Sequence, residues 1–255
     1  MDSIVTDQAN TPGRVCVVGP GRLGRALATA LGHAGVAVLG PVGRGEAVPA
    51  ADAVLLCVPD AEIPAAAAAA AGSAPLVGHT SGATPLTVLA PAGGGHFGLH
   101  PLQTFAGGGG PARFQGAGCA VAGSTAAALA AARGLALALG LRPFELADED
   151  RAAYHAAASI ASNFLVTLEG AAERVAAGAG LDAGQARALL APLVRATVEN
   201  WAEHGPERAL TGPVARGDEQ TVARQREAVG EVAGELLPLF DALVERTQAL
   251  AGVPA

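Results

Sequence analysis

The chain has 255 residues, 51% of them hydrophobic, a formal net charge of −7 and a pI near 5.3. That length and apolar fraction fit a globular chain of one large domain or two modest ones. The acidic balance, with no basic cluster, argues against a nucleic-acid surface, which needs cations to neutralise phosphates. Every cation is an arginine; lysine is absent, so Schiff-base chemistry and lysine general acids drop out. Cys16, Cys57 and Cys119 are isolated among apolar neighbours with no C-x-x-C spacing, which suits buried thiols in a reducing, cytoplasmic setting. Residues 1–11 are polar and lack an apolar secretory core, and the alanine run at 65–71 is too short to span a bilayer, so neither targeting nor a membrane is expected.

Residues 15–18, Val-Cys-Val-Val, read as a buried strand. The strand breaks into Gly19-Pro20-Gly21-Arg22-Leu23-Gly24, a G-x-G-x-x-G that opens a helix predicted over 22–33. In such a turn Gly19 allows the tight bend, Gly21 lets a pyrophosphate approach the backbone, and Gly24 lets the helix lie close to the strand. An anion held there meets free N–H groups and the positive end of the helix dipole. Residues 36–39 read as a second strand. About twenty residues past the glycine motif, where an acidic residue would favour the free ribose of NAD, the charged residue is Arg44. Together with Arg22 it can grip a 2′-phosphate, so NADP (as NADPH) is the expected cofactor and NAD the less favoured one.

Residues 52–58 form a third strand too uniformly apolar for a wet face, as expected inside a parallel sheet. Pro59 stops it, and Val58-Pro59-Asp60 at its carboxyl end should border the cofactor. The alternation continues through a helix at 65–71, a strand ending in His79-Thr80-Ser81-Gly82, and Gly98-Leu99 leading into His100-Pro101. Beyond a glycine run at 107–110 come a strand at 119–122, a helix near 125–139 and a strand at 142–146. These lengths predict an α/β chain with a Rossmann, doubly wound parallel sheet. From about residue 147 the remaining segments are all helical, near 149–178, 182–204 and 218–251. The expected domains are therefore 1–146, which binds NADP, and an all-α C-terminal domain over 147–255.

Within the first of these helices His155, Ser159 and Asn163 recur at i, i+4 and i+8 on an otherwise apolar segment. A polar stripe of this kind needs partners, and a substrate in an interdomain cleft would supply them. Reducing a ketone by hydride transfer requires a proton for the developing alkoxide. With lysine absent His155 is the leading donor, Asn163 a group that can polarise the carbonyl, and Ser159 a neighbour in the same stripe. Tyr154, the only tyrosine, ranks second because adjacency to His155 points it to a different side of the helix. Ser81 and His100 come after predicted strands and so sit at the rim of the glycine turn, placed to contact substrate. His96 and His100 are four apart, but Gly95, Gly98 and Pro101 disfavour a helix there, so no metal site is expected. Between the second and third long helices, Leu210-Thr211-Gly212-Pro213-Val214-Ala215-Arg216-Gly217-Asp218 combines a glycine-rich loop with a cation. Thr211, Gly212 and Arg216 can bind a substrate carboxylate, while Asp218 caps the final helix.

Taken together, the glycine turn, Val58-Pro59-Asp60, His79-Thr80-Ser81-Gly82, Gly98 to Phe105, Tyr154-His155-Ala156-Ala157-Ala158 and Leu210 to Asp218 resemble one bacterial family, whose members join a Rossmann-like domain to a DUF2520 helical domain. Such proteins look related to pyrroline-5-carboxylate reductases, prephenate dehydrogenases and 6-phosphogluconate-type dehydrogenases, and some resemble an alternative ketopantoate reductase. The resemblance implies an NADP-linked reductase acting on a small carboxylate, 2-dehydropantoate foremost, with imine reduction or NADP sensing without turnover as other readings. It also implies a homodimer formed through the helical domain. In one respect the chain departs from the better known ketopantoate reductases. They use a lysine and an asparagine on the first helix of the second domain, where this chain offers His155, Ser159 and Asn163.

Overall fold

A computed structural model describes residues 11–106 and 110–252. The expected lead-in at 1–10 and most of the glycine run at 107–110 lie outside the described residues. The chain divides into two compact units, Met1–Ser162 and Asn163–Ala255. In the first, seven strands form one sheet in the order β2-β1-β3-β4-β5-β6-β7: β1 (Arg14–Val18), β2 (Ala37–Val42), β3 (Ala53–Leu56), β4 (Leu76–His79), β5 (Gly95–Pro101), β6 (Gly118–Gly123) and β7 (Arg142–Glu145). Helices α1 (Arg22–His33), α2 (Ile63–Ala69) and α3 (Ala126–Ala138) connect them.

Strand alternation supplies two cores, because successive side chains point to opposite faces. Val15 and Val17 of β1 pack with Leu27 and Leu31 of α1 and with Leu135 of α3. Cys16 and Val18 face the other way, toward Ile63 and Ala67 of α2 and Leu89. All four residues of β3 are fully buried, as their unbroken apolar character requires at the centre of a covered sheet. The expected parallel sheet holds for β1 to β5 and then reverses: β6 pairs antiparallel to β5, and β7 runs parallel to β6. The physical reason is the link over residues 102–117. Among the described residues it contains a single 3-10 turn, Pro111–Arg113, and no crossover helix to return the chain to the starting edge.

The sheet ends near the expected boundary at 146/147, but the first compact unit runs on through α4 (Arg151–Ser159), whose side chains pack on β5 and β7. The predicted helix over 149–178 is interrupted by a π-helical turn, Ile160–Phe164, and the division between units falls inside that turn. The second unit consists of α5 (Leu165–Ala176), α6 (Ala183–His204), the short α7 (Pro206–Ala209), α8 (Glu219–Ala233) and α9 (Leu237–Ala251). Asp182 and Gln185 form a capping box that starts α6. The predicted helix over 218–251 is split into α8 and α9 by the 3-10 turn Gly234–Leu236, which leaves Pro238 in the first turn of α9, where a missing N–H is harmless. None of these helices is long and apolar enough to cross a membrane.

Candidate functional site

Parallel pairing sets Val18, Leu56, His79 and Gly98 in one row across β1, β3, β4 and β5. The residues just beyond that row therefore emerge at a common rim, the carboxyl edge where ligands of such sheets bind. The turn after β1 starts with Gly19 at φ +106°, and a Cβ there would overlap the Cys57 carbonyl oxygen. At Gly24 a Cβ would overlap the Gly19 carbonyl oxygen, so α1 could not lie this close to the strand. Gly21 differs from both. Its φ of −68° suits any residue, and a Cβ on it would meet no atom within 4 Å. The fold itself does not require glycine here, and the space in front of it is open.

That space belongs to a cavity of about 590 Å³, lined among others by Gly19, Pro20, Gly21, Arg44, Val58 and Pro59. Gly21 is the N-cap of α1 and provides no capping side chain, and among the described residues no side chain caps that end of the helix, the end at which free N–H groups can meet an anion. Arg44 stands at the cavity wall, 83% exposed and paired with Glu62. Arg22 is exposed beside the turn, whereas Leu23 and the buried Gly24 support it from behind. Asp60 lies outside the lining; its carboxylate accepts the Ser81 hydroxyl at 2.8 Å. A pyrophosphate fits against Gly21 and a ribose phosphate against Arg44, so the residues present suit a dinucleotide.

A second group of side chains gathers at the ends of β4 and β5. His79 is fully buried. Burial first and the Arg151 guanidinium second push its imidazole down to about 4, so it is neutral; its Nδ1 accepts the Ser81 N–H at 3.2 Å. Its Nε2 closes no hydrogen bond, although the Pro85 carbonyl lies nearby. The Ser81 hydroxyl also accepts the N–H groups of Ala83 and Thr84, which makes it a turn-forming group and leaves it little capacity for a ligand. His100, two residues past the row on β5, is likewise held down to about 4 by burial, His155 and Arg151. Its Nδ1 lies 2.7 Å from the Tyr154 hydroxyl, whose own titration burial raises to about 12. His155, exposed on α4, brings its ring to 6.2 Å from that of His100. Both imidazoles close on Gly82, where a Cβ would lie 2.9 Å from His100 Nε2 and 3.0 Å from His155 Cδ2.

Tyr154 and His155 thus share His100, contrary to the expectation that adjacency separates them. They diverge by about 100° around α4, yet both side chains are long enough to reach the ring lying over the helix. Sequence reasoning also missed Arg151. It is only 2% exposed, donates to Asp148 at 2.6 Å and toward the Ser81 carbonyl at 3.5 Å, and packs its Nη2 against Gly98. Asp148 in turn accepts the Leu86 N–H at 2.9 Å. The signal available was the Asp148/Arg151 i, i+3 spacing at a helix entrance.

Of the remaining expected residues, Ser159 ends α4, half-buried, and Asn163 lies across the π turn, where i→i+5 bonding breaks the α-helical stacking that the stripe assumed. Thr211, Gly212 and Arg216 lie in the second unit on the turn before α8. There the N–H groups of Arg216, Gly217 and Asp218 bond the turn's own carbonyls, and Asp218 caps α8 by accepting the Thr221 N–H at 3.0 Å. Cys57 and Cys119 are pushed up to about 12 by burial, which removes them as thiolate nucleophiles. Among the described residues no group of three or more His, Cys, Asp or Glu could hold a metal ion.

Among known protein families, the one described as "Domain of unknown function (DUF2520)" matches residues 117–247. Comparison with curated proteins yields no match. Among solved structures, a candidate NADP oxidoreductase from Bacteroides fragilis is similar at 20% identity and a TM-score of 0.78, covering 94% of this chain and 99% of the other. A Thermotoga maritima protein is similar at 25% identity and a TM-score of 0.77, covering 93% and 99%. A reductive aminase from Aspergillus terreus, in complex with NADPH and ethyl levulinate, is similar at 21% identity and a TM-score of 0.63, covering 92% and 93%. These likenesses establish the fold.

Proposed function

The chain belongs to the DUF2520 family, and from that premise we propose that it is an NADPH-dependent reductase of the carbonyl of a small carboxylate, 2-dehydropantoate being the first substrate to try. The observation that carries this reading is the Gly21 turn, where nothing lies within 4 Å of the place a side chain would take and the start of α1 is left open to an anion. The N–H groups at the start of α1 hold the pyrophosphate, and Arg44, exchanging Glu62 for a 2′-phosphate, selects NADPH with Arg22 beside it. Bound NADPH supplies the hydride. The chain supplies the rest: a rim that orients the carbonyl, and a proton from the His100, Tyr154 and His155 group for the oxygen as it gains charge. The similar fold of an aminase in complex with NADPH supports the cofactor.

A second reading, imine reduction, is favoured by the neutrality of His79 and His100, because an iminium arrives already protonated and needs no acid. The test is NADPH consumption across a panel of 2-oxo acids, 2-dehydropantoate included, and cyclic imines. Turnover of an oxo acid supports the first reading, and turnover of imines alone the second. Calorimetry in which the protein ignores both NADPH and NADH at millimolar concentration refutes both. The exposed stripe Leu189, Leu193 and Trp201 on α6 suits a homodimer contact; a light-scattering mass of one chain would refute that part.

A further inference from the structure

We propose that His100 is the group that protonates the reduced substrate and that Tyr154 is the positioning residue behind it, refilling the imidazole as its proton leaves. The inference rests on the reductase reading above and names the acid within it.

The proposed relay runs from phenol to imidazole. The Tyr154 hydroxyl and His100 Nδ1 are 2.7 Å apart, and no other acceptor for the phenolic hydrogen is found among the described residues. The contact accommodates either tautomer; in the proposed relay the phenol donates, and the neutral imidazole carries its hydrogen on Nε2. Nε2 is the ring atom away from the phenol: it packs against Gly82, where any side chain would collide with it, and it makes no hydrogen bond with the described residues. Among the described residues the fully buried side-chain atoms without partners are Nε2 of His79 and of His96; Nε2 of His100 is not one of them and keeps contact with solvent.

The surroundings hold this arrangement. Phe144 of β7 meets the Tyr154 ring edge-on at 5.8 Å, and His100 itself meets that ring at 5.5 Å, so the phenol is clamped between two strands. The charged and titratable groups near the pair are Arg151 and His155 on α4, Asp60 beyond β3 and Cys119 on β6. Burial is the largest influence on both groups: it disfavours an imidazolium on His100 and opposes a phenolate on Tyr154. The buried Arg151 cation adds to the first effect and offsets part of the second, so it favours movement of the proton outward. The balance is complete: the hydride forms the new C–H bond, the carbonyl π pair moves to oxygen, and that oxygen takes the Nε2 proton. His100 Nδ1 then takes the phenolic proton, and water returns one to the phenolate. An alkoxide is a stronger base than a phenolate, so the net transfer runs downhill.

Two substitutions test this, with a readout that does not need turnover. The chain has six histidines and one tyrosine. The His100 ring proton is assigned in NMR by its loss in His100→Asn, and tyrosinate absorbance reports Tyr154 alone. In Tyr154→Phe, an isosteric change, the His100 midpoint should rise from about 4 by about half a unit, because the hydrogen bond that favoured the neutral ring is gone. A midpoint that stays or falls overturns the proposed direction of donation. In turnover, His100→Asn should lose about 100-fold and Tyr154→Phe about 10-fold while NADPH binding stays intact. Wild-type rates in Tyr154→Phe overturn the relay, and so do wild-type rates in His100→Asn accompanied by loss in His155→Ala. A wild-type protein that binds NADPH but reduces nothing on the panel defeats the reductase reading and the relay with it, and the Tyr154→Phe titration still reports separately on the hydrogen bond.

Discussion

Replacing Gly21 with alanine separates folding from binding. On the existing backbone the added methyl would meet no atom within 4 Å, and the residue already has φ −68° and ψ −179°. Losing glycine's freedom in the unfolded chain stabilises by about 0.4–1 kcal/mol. Alanine is a poorer N-cap than glycine by a similar amount, about 0.5–1 kcal/mol, so the two nearly cancel. For a chain of this size a residual of about 1 kcal/mol moves Tm by roughly 2–4 °C at most. If the pyrophosphate lies where proposed, the same methyl would take its place, and NADPH affinity should fall at least about tenfold, or about 1.4 kcal/mol. Calorimetry gives both numbers on one sample, as Tm from scanning and Kd from titration. A variant that melts like wild type and still binds NADPH as tightly would show that the phosphates lie elsewhere, and the proposed cofactor site would fall.

Gly24→Ala should do the opposite, because its methyl would overlap the backbone carbonyl of Gly19; we expect a loss of roughly 2 kcal/mol or more in denaturant unfolding, even without ligand. Arg44→Ala should leave Tm unchanged, since the side chain is 83% exposed, and lower the preference for NADPH over NADH about tenfold in competitive binding. His79 ties stability to pH. Its folded value, about 4, lies below the unfolded value of 6.5, so the unfolded chain binds more protons between them and stability falls as pH drops through that window. The slope is about 1.4 kcal/mol per unit, giving about 3 kcal/mol in all. Unfolding free energies of His79→Gln should decline less steeply from pH 6.5 to pH 4 than those of wild type, and parallel curves would refute the assignment.

How far the sequence could be read depended on whether a residue's role is carried by the backbone or by distant neighbours. The turn at Gly19 to Gly24 was legible because Gly19 and Gly24 each answer to a local backbone demand, and the structure shows both demands at those positions. β3 was legible because burial on both faces leaves no polar position. The reversal at β6 was not, since an apolar run such as Cys119 to Val121 has no direction written into it and only the missing crossover decides. The polar stripe from His155 to Asn163 presumed one helical period, which a π turn does not keep. Arg151 was invisible because an arginine is ordinarily a surface residue, and what buries it is a pairing with Asp148 under Leu86.

Because β6 and β7 run against the other strands, the chain leaves β7 at Glu145, level with Val121 and so with Leu99, heading away from the rim. The helix after β7 must climb back past Gly98, and it meets His100 on the way up. The residues at 146–150 thus share with the strand contacts of Tyr154 and Arg151 in setting the height and rotation at which Tyr154 arrives. One residue inserted there would turn the helix by about 100° and lift it by about 1.5 Å, carrying the phenol off the imidazole while every strand stayed in register. Variation in the length of that short connector would therefore retune proton supply independently of cofactor grip, giving a lineage built on this scaffold a way to change its chemistry without rebuilding its frame.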